Sequence, residues 1–116
     1  MRGPARFAAR ENGEASMIII AAILAAAPAD AVPKARQAYA GCLTKVTTDA
    51  VDSKAAREEF LASLKSKCAD KEAAFRTALV AADRADGMSE QEAAQDADDQ
   101  VAEYVEKMTG DFDSAK

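Results

Sequence analysis

The chain has 116 residues, 49% hydrophobic and 30% charged, which is the size and balance of one soluble globular domain. Histidine is absent, and this excludes Ser-His and Cys-His nucleophile pairs, imidazole metal ligands and imidazole general bases. A formal charge of −5 disfavours binding to phosphate backbones, so nucleic acid is not an expected partner.

Much of the apolar fraction is alanine, Trp is absent, and four Phe and two Tyr supply the aromatic rings. Alanine burial returns little of the roughly 25 cal/mol per Å² that larger side chains deliver over larger areas, so the core is thin and a further constraint is expected. The two cysteines are the candidates.

Met17 to Ala27 form an uncharged apolar run of eleven residues, whereas a spanning helix needs about twenty. Ala27-Pro28-Ala29 and Ala29-Asp30-Ala31 follow as small-x-small patterns, and Arg2, Arg6 and Arg10 supply positive charge upstream. That order predicts a signal peptide over residues 1–29 and export to the periplasm or the extracellular space. Glu11 and Glu14 interrupt the basic segment, and Met17 is an alternative start that leaves the mature protein unchanged. The competing interpretations are a buried helix of the domain and an uncleaved N-terminal membrane anchor. A lipid anchor at the end of the run is not expected, because Cys42 lies well beyond it. After cleavage no stable membrane insertion is expected, and residues 30–116 should form a single helical-bundle domain.

From Asp30 onward the periodicity is helical and no alternating β-branched stretch reads as a strand, so the expected fold class is all-α, a small antiparallel bundle of three helices. Asp30 or Val32 is the expected cap of the first helix, with Pro33 in its first turn, where a missing N–H is tolerated. Its apolar face reads Ala35, Ala38, Tyr39, Cys42, Leu43 and Val46. Thr47, Thr48, Asp49 and Asp52 favour side-chain to backbone hydrogen bonds, and the chain should loosen there.

Asp52 or Ser53 can cap a long second helix with Leu61, Cys68, Phe75 and Ala82 at intervals of seven and Leu64, Ala78 and Leu79 between them. Gly87 is placed to close it, and Ser89-Glu90-Gln91-Glu92 is a capping box for the third helix, with Met88 able to staple onto Ala93. The third helix carries Ala94, Val101 and Met108 at sevens with Ala97, Tyr104 and Val105 beside them, and should stop at Gly110. Folding back at Gly87-Met88 pairs Ala82 with Ala94, Leu79 with Ala97, Phe75 with Val101, Cys68 with Met108 and Leu64 with Phe112. Tyr39 and Tyr104 are expected in the core or at its boundary.

Two cysteines in a small exported chain are expected to form a disulfide, Cys42–Cys68. The alternatives are two buried thiols and an intermolecular bond. With Cys42 opposite Cys68 on antiparallel helices, Val46 lies roughly 16 Å along the axis from Ser53 at about 1.5 Å per residue. Residues Thr47 to Asp52 must then be a stretched linker, at about 3.3 Å each, or further helical turns.

Asp86-Gly87 followed by Glu90 and Glu92 has some calcium-loop character, but aligning Gly87 with the required glycine places Ala82, Arg84 and Ala93 at ligand positions, so no metal site is expected. No phosphate loop or nucleophile elbow is present either, and catalytic residues, cofactors and enzyme activity are not expected. Charge is unevenly distributed: Asp83 to Asp113 contains eleven acids and two bases, net −9, whereas Asp30 to Ala82 has nine bases and seven acids, net +2. Glu92, Asp96, Asp99, Glu103 and Glu106 follow helical steps of four, three, four and three, one stripe opposite the apolar face. Such a stripe is a solubilising face or a docking surface for a basic protein or another copy of the chain. The expected function is therefore that of a small exported, non-catalytic, protein-binding or chaperone-like module. A self-associating envelope component is the alternative.

Overall fold

The computed structural model describes residues 28–116, so the apolar run and almost all of the expected signal segment lie outside the described residues. The described residues form an all-α bundle of four helices: α1 (Pro28–Asp52), α2 (Arg57–Lys67), α3 (Ala69–Ala85) and α4 (Glu90–Ser114). The fold class is the expected one. The extra helix arises because the long second helix is interrupted at Cys68.

α1 is already helical at Pro28, so neither Asp30 nor Val32 caps it, and Pro33 sits inside it. The stretch expected to loosen continues the helix to Asp52. Thr47 satisfies its hydroxyl without leaving the helix, by donating to the Leu43 carbonyl one turn back at 2.8 Å. Burial also holds the turn, since Val46, Thr47 and Ala50 are all in the core. The buried face is Tyr39, Leu43, Val46 and Ala50, with Ala35 and Cys42 packed at its edge; Ala38 points to solvent instead.

Asp52 and Ser53 end α1 and do not cap α2. Lys54 takes a left-handed conformation (φ 55°), and the Lys54 and Ala55 N–H groups donate to the carbonyls of Val51 (3.2 Å) and Ala50 (2.9 Å). This is a Schellman closure built without glycine, at a conformational cost of about 1–2 kcal/mol. The α2 N-terminus at Ala56 is satisfied from one side: its N–H donates to the Glu59 carboxylate at 3.2 Å.

The interruption at Cys68 (φ −108°, ψ 15°) separates two helices with complementary ends. Lys65 and Lys67 occupy the last turn of α2, and Asp70 and Glu72 the first turn of α3, each matching the local macrodipole. Phe60 and Leu64 are buried in α2, while Leu61, expected to head the apolar face, is half-buried. In α3 the buried residues are Phe75, Ala78 and Leu79, and Ala82 is again half-buried.

α1 and α2 form an antiparallel hairpin, and Cys42 and Cys68 each lie roughly 15 Å from its turn by helical rise. The two residues are thus level, and a disulfide joins them with their Cα atoms 5.9 Å apart.

The α3–α4 turn has the expected form. Gly87 adopts φ 100°, its N–H donates to Arg84 at 3.0 Å, and the Met88 N–H donates to Asp83 at 3.0 Å, which is a Schellman motif. The Glu92 N–H donates to Ser89 Oγ at 3.1 Å and the Ser89 N–H to Glu92 Oε1 at 2.9 Å, completing the capping box. α4 then runs through Gly110 to Ser114. Glycine inside a helix costs about 1 kcal/mol, but burial of Phe112 beyond it favours continuation.

The hairpin register differs from the expected layers at both ends. Ala94 is exposed and Ala93 takes its place in the core, and Phe112 stacks on Phe60 (centroids 4.3 Å apart, planes at 8°). Midway, Tyr39 stacks on Phe75 at 5.5 Å, and Tyr104 meets both edge-on at 5.7 and 5.8 Å. Three helices are thereby joined by one aromatic cluster. Arg36 lies over the Phe75 ring, 5.1 Å from its centroid.

Candidate functional site

The five acids of the α4 stripe do not share one environment. Asp99, Glu103 and Glu106 are exposed on the solvent face, and Glu92 is exposed but engaged with Ser89. Those hydrogen bonds from Ser89 hold the Glu92 carboxyl below its ordinary pKa. Asp96 is half-buried at the α3 side, accepts from Gln100 Nε2 at 3.1 Å, and lies within hydrogen-bonding reach of the Asp83 carboxyl. Asp99 accepts from Gln95 Nε2 at 3.0 Å. Among the described residues, no ion pair involves any of the five. The ion pairs that join helices involve other acids: Arg76 of α3 bridges Glu72 and Asp98, and Arg57 of α2 reaches Asp113 of α4 at 3.3 Å, while Lys107 pairs with Asp111 along α4.

Asp83 is the perturbed carboxyl. A hydrogen bond with Asp96, then partial burial, then the charges of Asp96 and Asp86 push it up to about 6. Its Oδ2 is buried and has no donor to accept from. Protonation of Asp83 lets its carboxyl donate to Asp96, which is why its pKa is raised. The sequence carries a weak signal for this pair, namely two acids flanking a tight helical turn.

A cleft of about 290 Å³ opens between α2 and α4, which meet through Phe60 and Phe112. Buried Tyr39 and Leu43 of α1 form its floor, and half-buried Leu61 of α2 and Val105 of α4 stand at its mouth. Lys65 of α2 and Glu72 and Arg76 of α3 supply the charged groups of its lining. Burial, followed by the Glu72 charge, pushes the Tyr39 hydroxyl up to about 12, with Arg76 opposing. The cleft could not be read from the sequence, because its lining is drawn from all four helices. A wider hollow of about 390 Å³ at the far end, beside Phe112, has two exposed lysines, Lys54 and Lys116, as its charged lining residues.

Among the described residues no cluster of three or more Cys, Asp or Glu side chains could hold a metal ion, and no helix is long and apolar enough to cross a membrane. Cys42 and Cys68 are both consumed by the disulfide. In comparisons with known proteins, the chain matches no family model, no curated protein and no solved structure.

Proposed function

We propose that the mature chain is an exported, non-catalytic binding module that docks a basic protein segment on the solvent face of α4. The observation that carries this proposal is the row of Asp99, Glu103 and Glu106, exposed on a long helix and engaged in no ion pair among the described residues. Helix α4 is anchored at three levels, by the Ser89 capping box, the Tyr104 contacts and the Phe112 stack, so its outer face is presented rigidly. Uncompensated charge on a rigid support favours a partner of opposite sign and accelerates encounter. Export is supported by the order of basic residues, apolar run and small-x-small patterns, and by a disulfide that persists in oxidising compartments.

The test is crosslinking capture from envelope extract, comparing the parent with the triple variant Asp99→Asn, Glu103→Gln and Glu106→Gln. These substitutions leave the core untouched, so the circular dichroism spectrum should be unchanged while capture of a basic partner falls. Equal capture by both proteins would reduce the face to a solubilising one. Intact mass of the captured form distinguishes cleavage after Ala29 or Ala31 from retention of an anchor. A partner that proves to be a second copy of the chain would favour the self-associating alternative.

A further inference from the structure

The α2–α4 cleft and the acidic stripe share one flank of α4. At about 100° per residue, Val105 stands about 40° round the helix from the core residue Val101, Ala102 about 100°, Glu106 about 140° and Asp99 about 160°, all on the same side. Val101 and Val105 line the cleft, Ala102 is exposed, and Glu106 and Asp99 are exposed acids in no ion pair among the described residues. The surface therefore passes directly from an apolar hollow to uncompensated negative charge. The opposite wall carries the other sign: Lys65 of α2 lines the cleft, is exposed, and makes no ion pair among the described residues. Glu72 and Arg76 pair with each other, and Arg76 also with Asp98, so the unpaired charges beside the cleft are Lys65 on α2 and the stripe acids on α4. A dry cavity of about 150 Å³ holds a benzene ring, and the cleft, at about 290 Å³, has room for one large side chain.

We infer that the basic partner of the α4 face is an amphipathic helix of defined pattern: one large apolar side chain seated in the cleft between Leu61 and Val105, lysines or arginines along the flank that meets Asp99 and Glu106, and no cation along the flank that meets Lys65. That pattern rests on the reading of α4 as a docking face and specifies what docks there. The half-buried Leu61 and Val105 flank the entrance, so the anchor can enter without unfolding a helix. A helix laid in a groove by a few apolar anchors is a general mode of recognition. Like charge on the α2 wall adds a discrimination between basic helices that attraction by the stripe does not supply.

The chain has no tryptophan, so the emission of a peptide's own tryptophan reports its burial. Three synthetic helical peptides separate the requirements: one with a central tryptophan and lysines on one flank, a second with lysines on both flanks, and a third with alanine in place of the tryptophan. Each is titrated calorimetrically into the oxidised full chain, and emission is recorded for the first two. The one-flank peptide should bind most tightly, with its emission shifted to the blue. Alanine for tryptophan should weaken binding at least about ten-fold. Lysines on the second flank should weaken it about three-fold despite the added charge, and Lys65→Glu should reverse that preference. Leu61→Gln should remove the blue shift, and circular dichroism checks that both variants keep the parent's helical content. Peptides that bind the parent and lose affinity for the triple neutral variant, but show no blue shift or bind more tightly with lysines on both flanks, overturn this pattern and leave the acidic docking face standing. Peptides that bind parent and triple variant equally, or bind neither, overturn both.

Discussion

Asp83 of α3 and Asp96 of α4 meet across the α3–α4 hairpin, and hydrogen bonding to Asp96 together with partial burial raises the Asp83 carboxyl. The Asp83 carboxyl titrates near 6 in the folded protein, above its unfolded value of 3.8. A raised folded pKa means that the folded state binds the proton more tightly. Its contribution is therefore complete below about 3.8 and is lost as pH rises through about 6.

Asp83→Asn should remove that loss. A two-unit shift sets a ceiling of about 3 kcal/mol, and discounting for partial solvent exposure leaves about 1 kcal/mol of stabilisation at pH 7.5. Below about pH 4 parent and variant should converge. Urea midpoints across this range measure the difference, and an equal gap at all pH values would exclude the raised Asp83 titration.

The burial pattern of α2 predicts unequal sensitivities for two adjacent residues. Phe60→Ala removes a fully buried ring stacked on Phe112 and should cost about 3–5 kcal/mol. Leu61→Ala, at the mouth of the cleft, should cost about 1 kcal/mol. An unbroken second helix with Leu61 on its core face predicts the reverse order in denaturant unfolding.

Lys54 stands at a left-handed position that glycine adopts without strain. Lys54→Gly should raise stability by about 1 kcal/mol, seen as a higher thermal midpoint, because relief of the backbone strain exceeds the added unfolded-state entropy. A lower midpoint would show that the lysine side chain contributes more than its backbone strain costs.

The Cys42–Cys68 bond closes a loop with a sequence separation of 26 residues. Reduction, or the Cys42→Ser and Cys68→Ser pair of substitutions, should cost about 3 kcal/mol. Unfolding of oxidised and reduced protein by guanidinium measures it. Equal midpoints would show that helix packing alone holds α2 on α1.

The parts legible in the sequence were those written by local chemistry. Gly87 and Ser89-Glu90-Gln91-Glu92 specify a turn whose hydrogen bonds involve neighbouring residues, and the Cys42–Cys68 pairing follows from there being two cysteines within reach of each other. The errors fall where tertiary burial outweighs local preference. Thr47 and Asp52 stay helical because Val46 and Ala50 are buried beside them, and Gly110 stays helical because Phe112 lies beyond it. The break at Cys68 had a local sign, Lys65 and Lys67 before it and Asp70 and Glu72 after it, but intervals of seven through Leu61, Cys68, Phe75 and Ala82 masked it. Asp96 belongs with Asp83 for a similar reason. One helix's wheel places it on the outer stripe, and the neighbouring helix makes it half-buried.

Docking of a basic partner on Asp99, Glu103 and Glu106 is tested most directly by the salt dependence of partner affinity, measured side by side for the parent and the triple neutral variant. Between about 0.1 M and about 1 M ionic strength the Debye length falls from about 10 Å to about 3 Å, which screens exposed charges and spares apolar contacts. The parent should lose affinity at least about ten-fold over that range, about 1.4 kcal/mol, while the variant starts weaker and changes little. Equal affinity of parent and variant, or a parent affinity indifferent to salt, would contradict the account.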